Sequence, residues 1–384
     1  MTVRMLTIAT VLPDTQIHQP DVAQLFADQP DMTRLGSRLV GSAFAGSGVA
    51  TRHTVLPELG DAASQTRKRN DDAAPSPFVD PASGHLLSPG TQTRNRLYTE
   101  HAKRLFVRAA RTALHQAAPT VTPQDVTHVI TVSCTGFFAP GPDVRVVKDL
   151  GLPADVTRLH LGFMGCNAAF PALRAAYAAC RSDPQAVVLV VCVELCTLHL
   201  HVRNDPDTIM GNALFADGAA ATVITAREVA APASESVLEL LDFETTLAPV
   251  GEDELAWSVG DEGFEMILGT YVPRIIDDHV SDALAPLLAR TGHKAADIPL
   301  WAVHPGGRSI LDKVQSRLEL TDDQMEPSRG VLADAGNMSS ATILFVLDRL
   351  RTSDRGGVAA ALAFGPGLSI ESALLRVVPV QGRA

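Results

Sequence analysis

The chain has 384 residues, 46% of them hydrophobic and 20% charged, with a formal net charge of −11. A chain of this length buries a large core without disulfides and allows two or three domain-sized units. The acidic balance argues against general nucleic-acid binding, and no apolar run reaches the ~18 residues that span a bilayer.

The opening MTVRMLTIATVLPDTQIHQP reads as a first strand rather than a signal peptide. From Gly60 to Asn95 the chain is rich in Gly, Pro, Ser, Asp and Asn, which predicts a long surface loop. Its basic cluster, Arg67 to Arg69, is either solvated or a phosphate contact. The apolar residues of RLYTEHAKRLFVRAARTALHQAA recur every three or four positions and predict an amphipathic helix. VTHVITVS, AVVLVVCVELC and AAATVITA have the length and β-branching of buried strands. After a softer stretch, REVAAPASESV, the pattern repeats in outline. Strands are expected near Leu238 and Trp301, and helices through SILDKVQSRLEL and SSATILFVLDRLRTS. Two last apolar runs flank Gly365, Pro366 and Gly367. Strands alternating with helices indicate an α/β protein in two similarly organised halves.

The five cysteines (Cys134, Cys166, Cys180, Cys192, Cys196) lack paired CxxC spacing and suit a reducing cytoplasm. Cys166 follows a Gly-Phe-Met-Gly turn at the start of an alanine-rich helix. Backbone N–H groups and the helix dipole there would favour a reactive thiolate, although a buried cysteine often only packs. His304 closes an apolar strand before a Pro-Gly-Gly turn, placed to meet a ligand or to be a satisfied structural histidine. Asn337 precedes a serine-marked helix start, as an N-cap or as an amide donor into a pocket.

GFMGCNAAF, WAVHPGGRSIL and GNMSSATILFVLD resemble, in order, the Cys, His and Asn motifs of type III polyketide synthases, the chalcone synthase family. NALFADGAAA and AFGPGLSIE add to the likeness, which runs from about Gly48 to the end with the 60–95 loop poorly matched. The resemblance implies a thiolase fold: duplicated αβαβα halves in a five-layered core, normally as a homodimer. Residues 1–228 would carry the cysteine, and 229–384 the histidine and asparagine.

By this resemblance Cys166 takes an acyl group from acyl-CoA. His304 stabilises its thiolate as an imidazolium and, with Asn337, donates hydrogen bonds as malonyl-CoA loses carbon dioxide. Phe215 matches the gatekeeper phenylalanine. Cys134, Thr135, Ala139, Cys196, His199, Trp257, Met266 and Ser339 fall at cavity positions, Ala139 where plant members place a methionine that crosses the dimer. Phe364, Gly365, Pro366 and Gly367 match the loop shaping the cyclisation pocket, with Ala363 where glycine is common. His199 and His201 are satisfied histidines or an added acid or base. Arg52, Arg67 and Arg69 are the candidates for CoA binding. The implied substrates are free acyl-CoA and malonyl-CoA, with no metal or other cofactor.

Small residues at Thr135, Ala139 and Cys196, with the W…GDEGFEM pattern, resemble the bacterial alkylpyrone and alkylresorcinol branch. That likeness implies a fatty acyl starter. The rivals are an initiating 3-ketoacyl-acyl-carrier-protein synthase and a catalytically silent acyl-binding protein of the same fold.

Overall fold

The computed structural model describes residues 1–63, 76–80, 82–229, 236–353 and 355–379. In chain order the first half runs β1 (Val3–Val11), β2 (Thr15–His18), α1 (Gln19–Ala27), α2 (Arg34–Gly46), β3 (Thr51–Thr54), α3 (Pro57–Ala63), α4 (Thr91–Ala117) and β4 (His128–Ser133). It continues through α5 (Pro142–Leu150), β5 (Thr157–Gly162), α6 (Ala169–Ser182), β6 (Val187–Leu195), α7 (Pro206–Leu214) and β7 (Asp217–Thr225). The second half comprises β8 (Val237–Leu247), β9 (Leu255–Gly260), β10 (Gly263–Leu268), α8 (Val272–Thr291), β11 (Leu300–Val303) and α9 (Arg308–Arg317). It ends with α10 (Asp322–Ala335), α11 (Thr342–Thr352), β12 (Gly357–Gly365) and β13 (Ser369–Val378).

Among the described residues, nine strands form one sheet in the order β11-β12-β13-β8-β1-β7-β6-β4-β5. The two halves follow one plan. β4 joins β5 and β6 in parallel, as β11 joins β12, while the last strand of each half pairs antiparallel with the first, β7 with β1 and β13 with β8. Antiparallel pairing of β1 with β8 makes the sheet continuous.

Strand β6 shows why a run without polar alternation is a strand here. Val188, Val190 and Cys192 face a central cluster with α6 and α11, while Val187, Leu189, Val191 and Val193 face an outer cluster with α4. A third cluster joins the other face of β11–β13 to α8 and α9. Successive side chains point to opposite faces, so a strand between two helical layers is apolar throughout. The result is the five-layered thiolase fold, in which the two halves of the continuous sheet enclose α6 and α11 and outer helices cover each half.

The expected loop from Gly60 is shorter, because α3 extends to Ala63 and α4 already begins at Thr91. Arg67 and Arg69 lie outside the described residues. The functional residues gather at one end of the sheet. Cys134 and Cys196 follow β4 and β6, the Cys166 turn follows β5, and His304 follows β11. In open parallel sheets, ligands bind at these carboxyl ends.

Candidate active site

Cys166 lies in a 3-10 turn, Gly165–Asn167, just before α6. Gly165 has φ +76°, and a Cβ there would stand 2.3 Å from Cδ of Pro366. The turn therefore requires glycine. Gly365 packs equally tightly, since an added Cβ would lie 2.5 Å from the Asn167 amide, which donates to Ser369 Oγ at 2.8 Å. Phe364 is buried in the third cluster, with β11. The Phe364–Gly367 loop thus braces the nucleophile turn, and none of its four residues lines the inner cavity described below.

The Ser339 and Asn337 side chains lie near the Cys166 thiol and favour its thiolate. Burial outweighs both and pushes the thiol up to about 11, with the nearby Glu194 carboxyl adding in the same direction. The cysteine precedes α6 instead of occupying its first turn, and removing the sulfur from water favours the neutral thiol.

His304 is 1% exposed and its backbone N–H donates to Leu362 O at 2.8 Å. Neither ring nitrogen has a partner among the described residues. Burial pushes the ring down to about 3, so this imidazole is neutral.

Asn337 is held by its backbone: its N–H donates to Leu214 O and its carbonyl accepts from Ala216 N–H, both at 2.9 Å. Its Oδ1 accepts from Ser339 N–H at 2.9 Å, a local turn that orients the amide. Nδ2 is left to face Gly306 O at 3.5 Å and the Cys166 thiol. Gly306 lies beside the His304 ring, 3.7 Å from an added Cβ to His304 Cδ2. Asn337 thus neighbours both the Cys166 turn and the Gly306 backbone that follows His304.

An apolar cavity of about 80 Å³, several times the ~10–15 Å³ that one water needs, is bordered by Cys134 and Ser339; Cys166, His304 and Asn337 do not themselves line it. Among the residues lining it are Cys134, Thr135, Cys196, His199, Phe215, Trp257, Met266 and Ser339. Cys134 Sγ and Ser339 Oγ are 3.3 Å apart. His199 is a satisfied histidine: Nε2–H donates to Thr135 O at 2.8 Å and Nδ1 accepts from Phe264 N–H at 3.1 Å. Ala139 is exposed and does not line the cavity of its own chain.

Several residues escaped the sequence reading. Phe264 on β10 stacks between His199 (4.1 Å) and Trp257 (5.0 Å), making one aromatic wall. The β9–β10 register, which pairs Trp257 with Met266, places those two on one face. Asp207, Thr208, Gly211 and Asn212 form the α7 wall. Glu194, fully buried, accepts from Thr135 Oγ1 at 2.8 Å, Cys134 N–H at 3.0 Å and Ser340 Oγ at 2.5 Å. Its burial holds the carboxyl above the ordinary range. The only available signal was an acidic residue ending an apolar strand.

A larger outer groove, about 400 Å³, runs between α2, α7 and the start of α9. Asp207 borders both spaces, and Leu214 of the groove precedes Phe215 of the cavity. Arg52, a CoA candidate from the sequence, is 1% exposed and donates to Phe215 O at 2.7 Å. A buried guanidinium under the Phe215 backbone offers nothing to a phosphate at the surface. Arg308 is the basic side chain that does line the groove.

Two family models, for the N- and C-terminal domains of chalcone and stilbene synthases, match residues 80–228 and 239–379. The alpha-pyrone synthesis polyketide synthase-like Pks18 of Mycobacterium tuberculosis is 30% identical over 379 residues, 97% of this chain and 90% of that protein. Among solved structures, PKS-I of the brown alga Ectocarpus siliculosus superposes with a TM-score of 0.85 at 27% identity, covering 98% of each chain. The C-terminal type III polyketide synthase domain of Steely1, a type I/III hybrid from Dictyostelium, gives 0.84 at 26% identity over 98% of this chain and all of that one. The chain belongs to the chalcone and stilbene synthase family and is a type III polyketide synthase.

Proposed function

We propose that this synthase extends a fatty acyl-CoA starter with two or three malonyl units and closes the product to an alkylpyrone or alkylresorcinol. The observation that carries the site is the Asn337 amide, which spans the Cys166 thiol and the Gly306 carbonyl beside the His304 ring. The starter reading is supported by the small lining residues Cys134, Thr135 and Cys196, and by an aromatic wall that leaves a narrow apolar space. The relative concerned with alpha-pyrone synthesis points the same way.

The roles follow from proton positions. At rest the pair is thiol and neutral imidazole. As sulfur attacks the acyl carbonyl, His304 takes the thiol proton and returns it to the departing CoA sulfur. Malonyl-CoA then loses carbon dioxide, and the electron pair of the broken bond enters an enolate. Its oxygen accepts hydrogen bonds from His304 N–H and Asn337 Nδ2–H. The enolate carbon attacks the acyl group and expels the Cys166 thiolate. Donors fixed in place before reaction favour this charged state over the ground state. Removing the Asn337 amide is expected to slow decarboxylation by roughly a hundred- to a thousandfold.

CoA would lie along the outer groove toward Arg308, with Phe215 between groove and cavity excluding water. Residues 1–228 would form the half supplying Cys166, and 229–384 the half supplying His304 and Asn337. The route uses CoA thioesters as substrates and no metal or redox group. A cytoplasmic homodimer is part of the reading. Edge strand β5 leaves Leu159, and nearby Phe137, Phe163 and Met164, exposed.

The test is mass spectrometry of products from hexanoyl- to dodecanoyl-CoA with labelled malonyl-CoA. The expected result is a kcat/KM that rises with chain length, by up to ~0.8 kcal/mol or about fourfold per buried methylene. A flat or falling series removes the fatty acyl starter. Extension only with a carrier-protein-bound malonyl group would favour the single-round ketoacyl synthase.

A further inference from the structure

His201 has no part in the steps above, yet its surroundings single it out. Its backbone is fixed, the carbonyl accepting from Asn212 Nδ2 at 2.7 Å. Its side chain is buried, at 7% exposure for the residue, and neither ring nitrogen has a hydrogen-bond partner among the described residues. The backbone of Phe264 faces the ring without closing a bond to it. His199, two residues earlier, has both nitrogens bonded. An unsatisfied buried polar group costs on the order of 1–3 kcal/mol, so one retained in a fold is commonly met by something the chain does not supply.

The position of His201 indicates what that is. His201 and Leu200 are shared between the inner cavity and a narrow crevice beyond it, walled by Phe26, Leu59, Phe78, Leu86 and Leu87 among others. Every side chain lining the crevice is apolar except His201. Cys134 and Ser339, at the Cys166 end, line the cavity but not the crevice. The crevice itself holds about 10 Å³, room for one water, so an acyl chain held on Cys166 and filling the cavity would come to lie against His201 at the cavity's far end. One placed polar group in an apolar channel fixes the orientation and identity of a ligand.

We infer that His201 hydrogen-bonds an oxygen substituent, a hydroxyl or keto group, carried where the starter's acyl chain reaches the far end of the cavity. The preferred starter is then an oxygenated acyl-CoA rather than a plain one. This rests on the acyl-CoA starter reading above and narrows it. Burial, and then the charges of Arg94 and Arg203, hold the ring below the ordinary histidine range. A neutral imidazole offers one donor and one acceptor, which suits either a hydroxyl or a ketone.

The test compares dodecanoyl-CoA with its positional hydroxy isomers as starters, in the wild type, His201→Leu and His201→Gln, with malonyl-CoA as extender. In the wild type one isomer is expected to exceed dodecanoyl-CoA in kcat/KM by roughly ten- to a hundredfold, the worth of a hydrogen bond made in place of an unmet group. His201→Leu should collapse that ratio to near one, and His201→Gln should keep part of it. Calorimetric binding of the same CoA esters to unreactive Cys166→Ala should give the same ranking, which holds even if the leucine variant folds poorly. Hydroxy isomers no better than dodecanoyl-CoA, or a preference that survives His201→Leu, overturn the inference and leave the fatty acyl reading standing. Turnover of no acyl-CoA at all overturns both.

Discussion

The location of one proton decides how Cys166 reacts before substrate arrives. Burial disfavours the charged form of each partner, raising the thiol to about 11 and lowering the His304 ring to about 3. Alkylation of the free enzyme by iodoacetamide should therefore climb about tenfold per pH unit from pH 7 toward 11, following the thiolate fraction. A rate already level between pH 6 and 8 would instead mean a resting thiolate–imidazolium pair. The candidates Cys166, His304 and Asn337 were read from the order of three motifs resembling those of type III polyketide synthases, because each motif alone left a structural reading open. Their protonation was not legible, since it depends on how much of the chain closes over them. Glu194 and Phe264 escaped for a related reason. A carboxyl that collects hydrogen bonds from β4, β6 and the Ser340 turn, and a ring stacked between two others, are products of packing.

At the scale of elements, the nucleophile turn depends on a close approach between the two halves. Gly165, at φ +76°, leaves no room for a Cβ against Pro366. Gly165→Ala should lower kcat/KM at least tenfold and stability by roughly 1–3 kcal/mol, through left-handed backbone strain and displacement of the β12–β13 loop. Product assays and urea unfolding on one preparation measure both. An unchanged kcat/KM would show that the loop yields without moving the thiol. The elements read best from the sequence were α4, with its regular apolar spacing, and the buried, largely apolar β4, β6 and β7. Those not read were disguised by prolines or short length. Helices α8 and α10 carry Pro286 and Pro327 internally, and tertiary packing overrides that local cost. The hairpin β9–β10 has a largely exposed face and gave no apolar pattern.

At the scale of the whole molecule, the α/β alternation was visible but the joining of β1 to β8 was not, because pairing between halves leaves no local mark. Assembly belongs to this scale too. Strand β5 ends the sheet with Leu159 at 42% and the following Phe163 at 49% exposure. Sedimentation should give about twice the 40.7 kDa chain mass, and Leu159→Lys should shift it toward a monomer. A wild-type monomer would remove the dimer from the proposal.

Stability against pH follows from keeping His304 neutral inside the fold. Its folded value of about 3 lies below the ordinary 6.5, so between those limits the unfolded chain binds the extra proton. Stability contributed by the neutral ring is complete above pH 6.5 and falls as pH drops, by ~1.4 kcal/mol per unit. His199, also held at about 3, acts in the same direction. Asp217, raised to about 6, acts in the opposite one between 3.8 and 6. Comparing wild type with His304→Gln cancels both of these, because they are common to the two proteins. Urea unfolding at pH 7.5 and pH 5 should show the wild type losing about 2 kcal/mol more than the variant over that interval. Equal losses would mean that His304 takes up its proton in the folded chain, and the neutral base that begins the proposed condensation would be wrong.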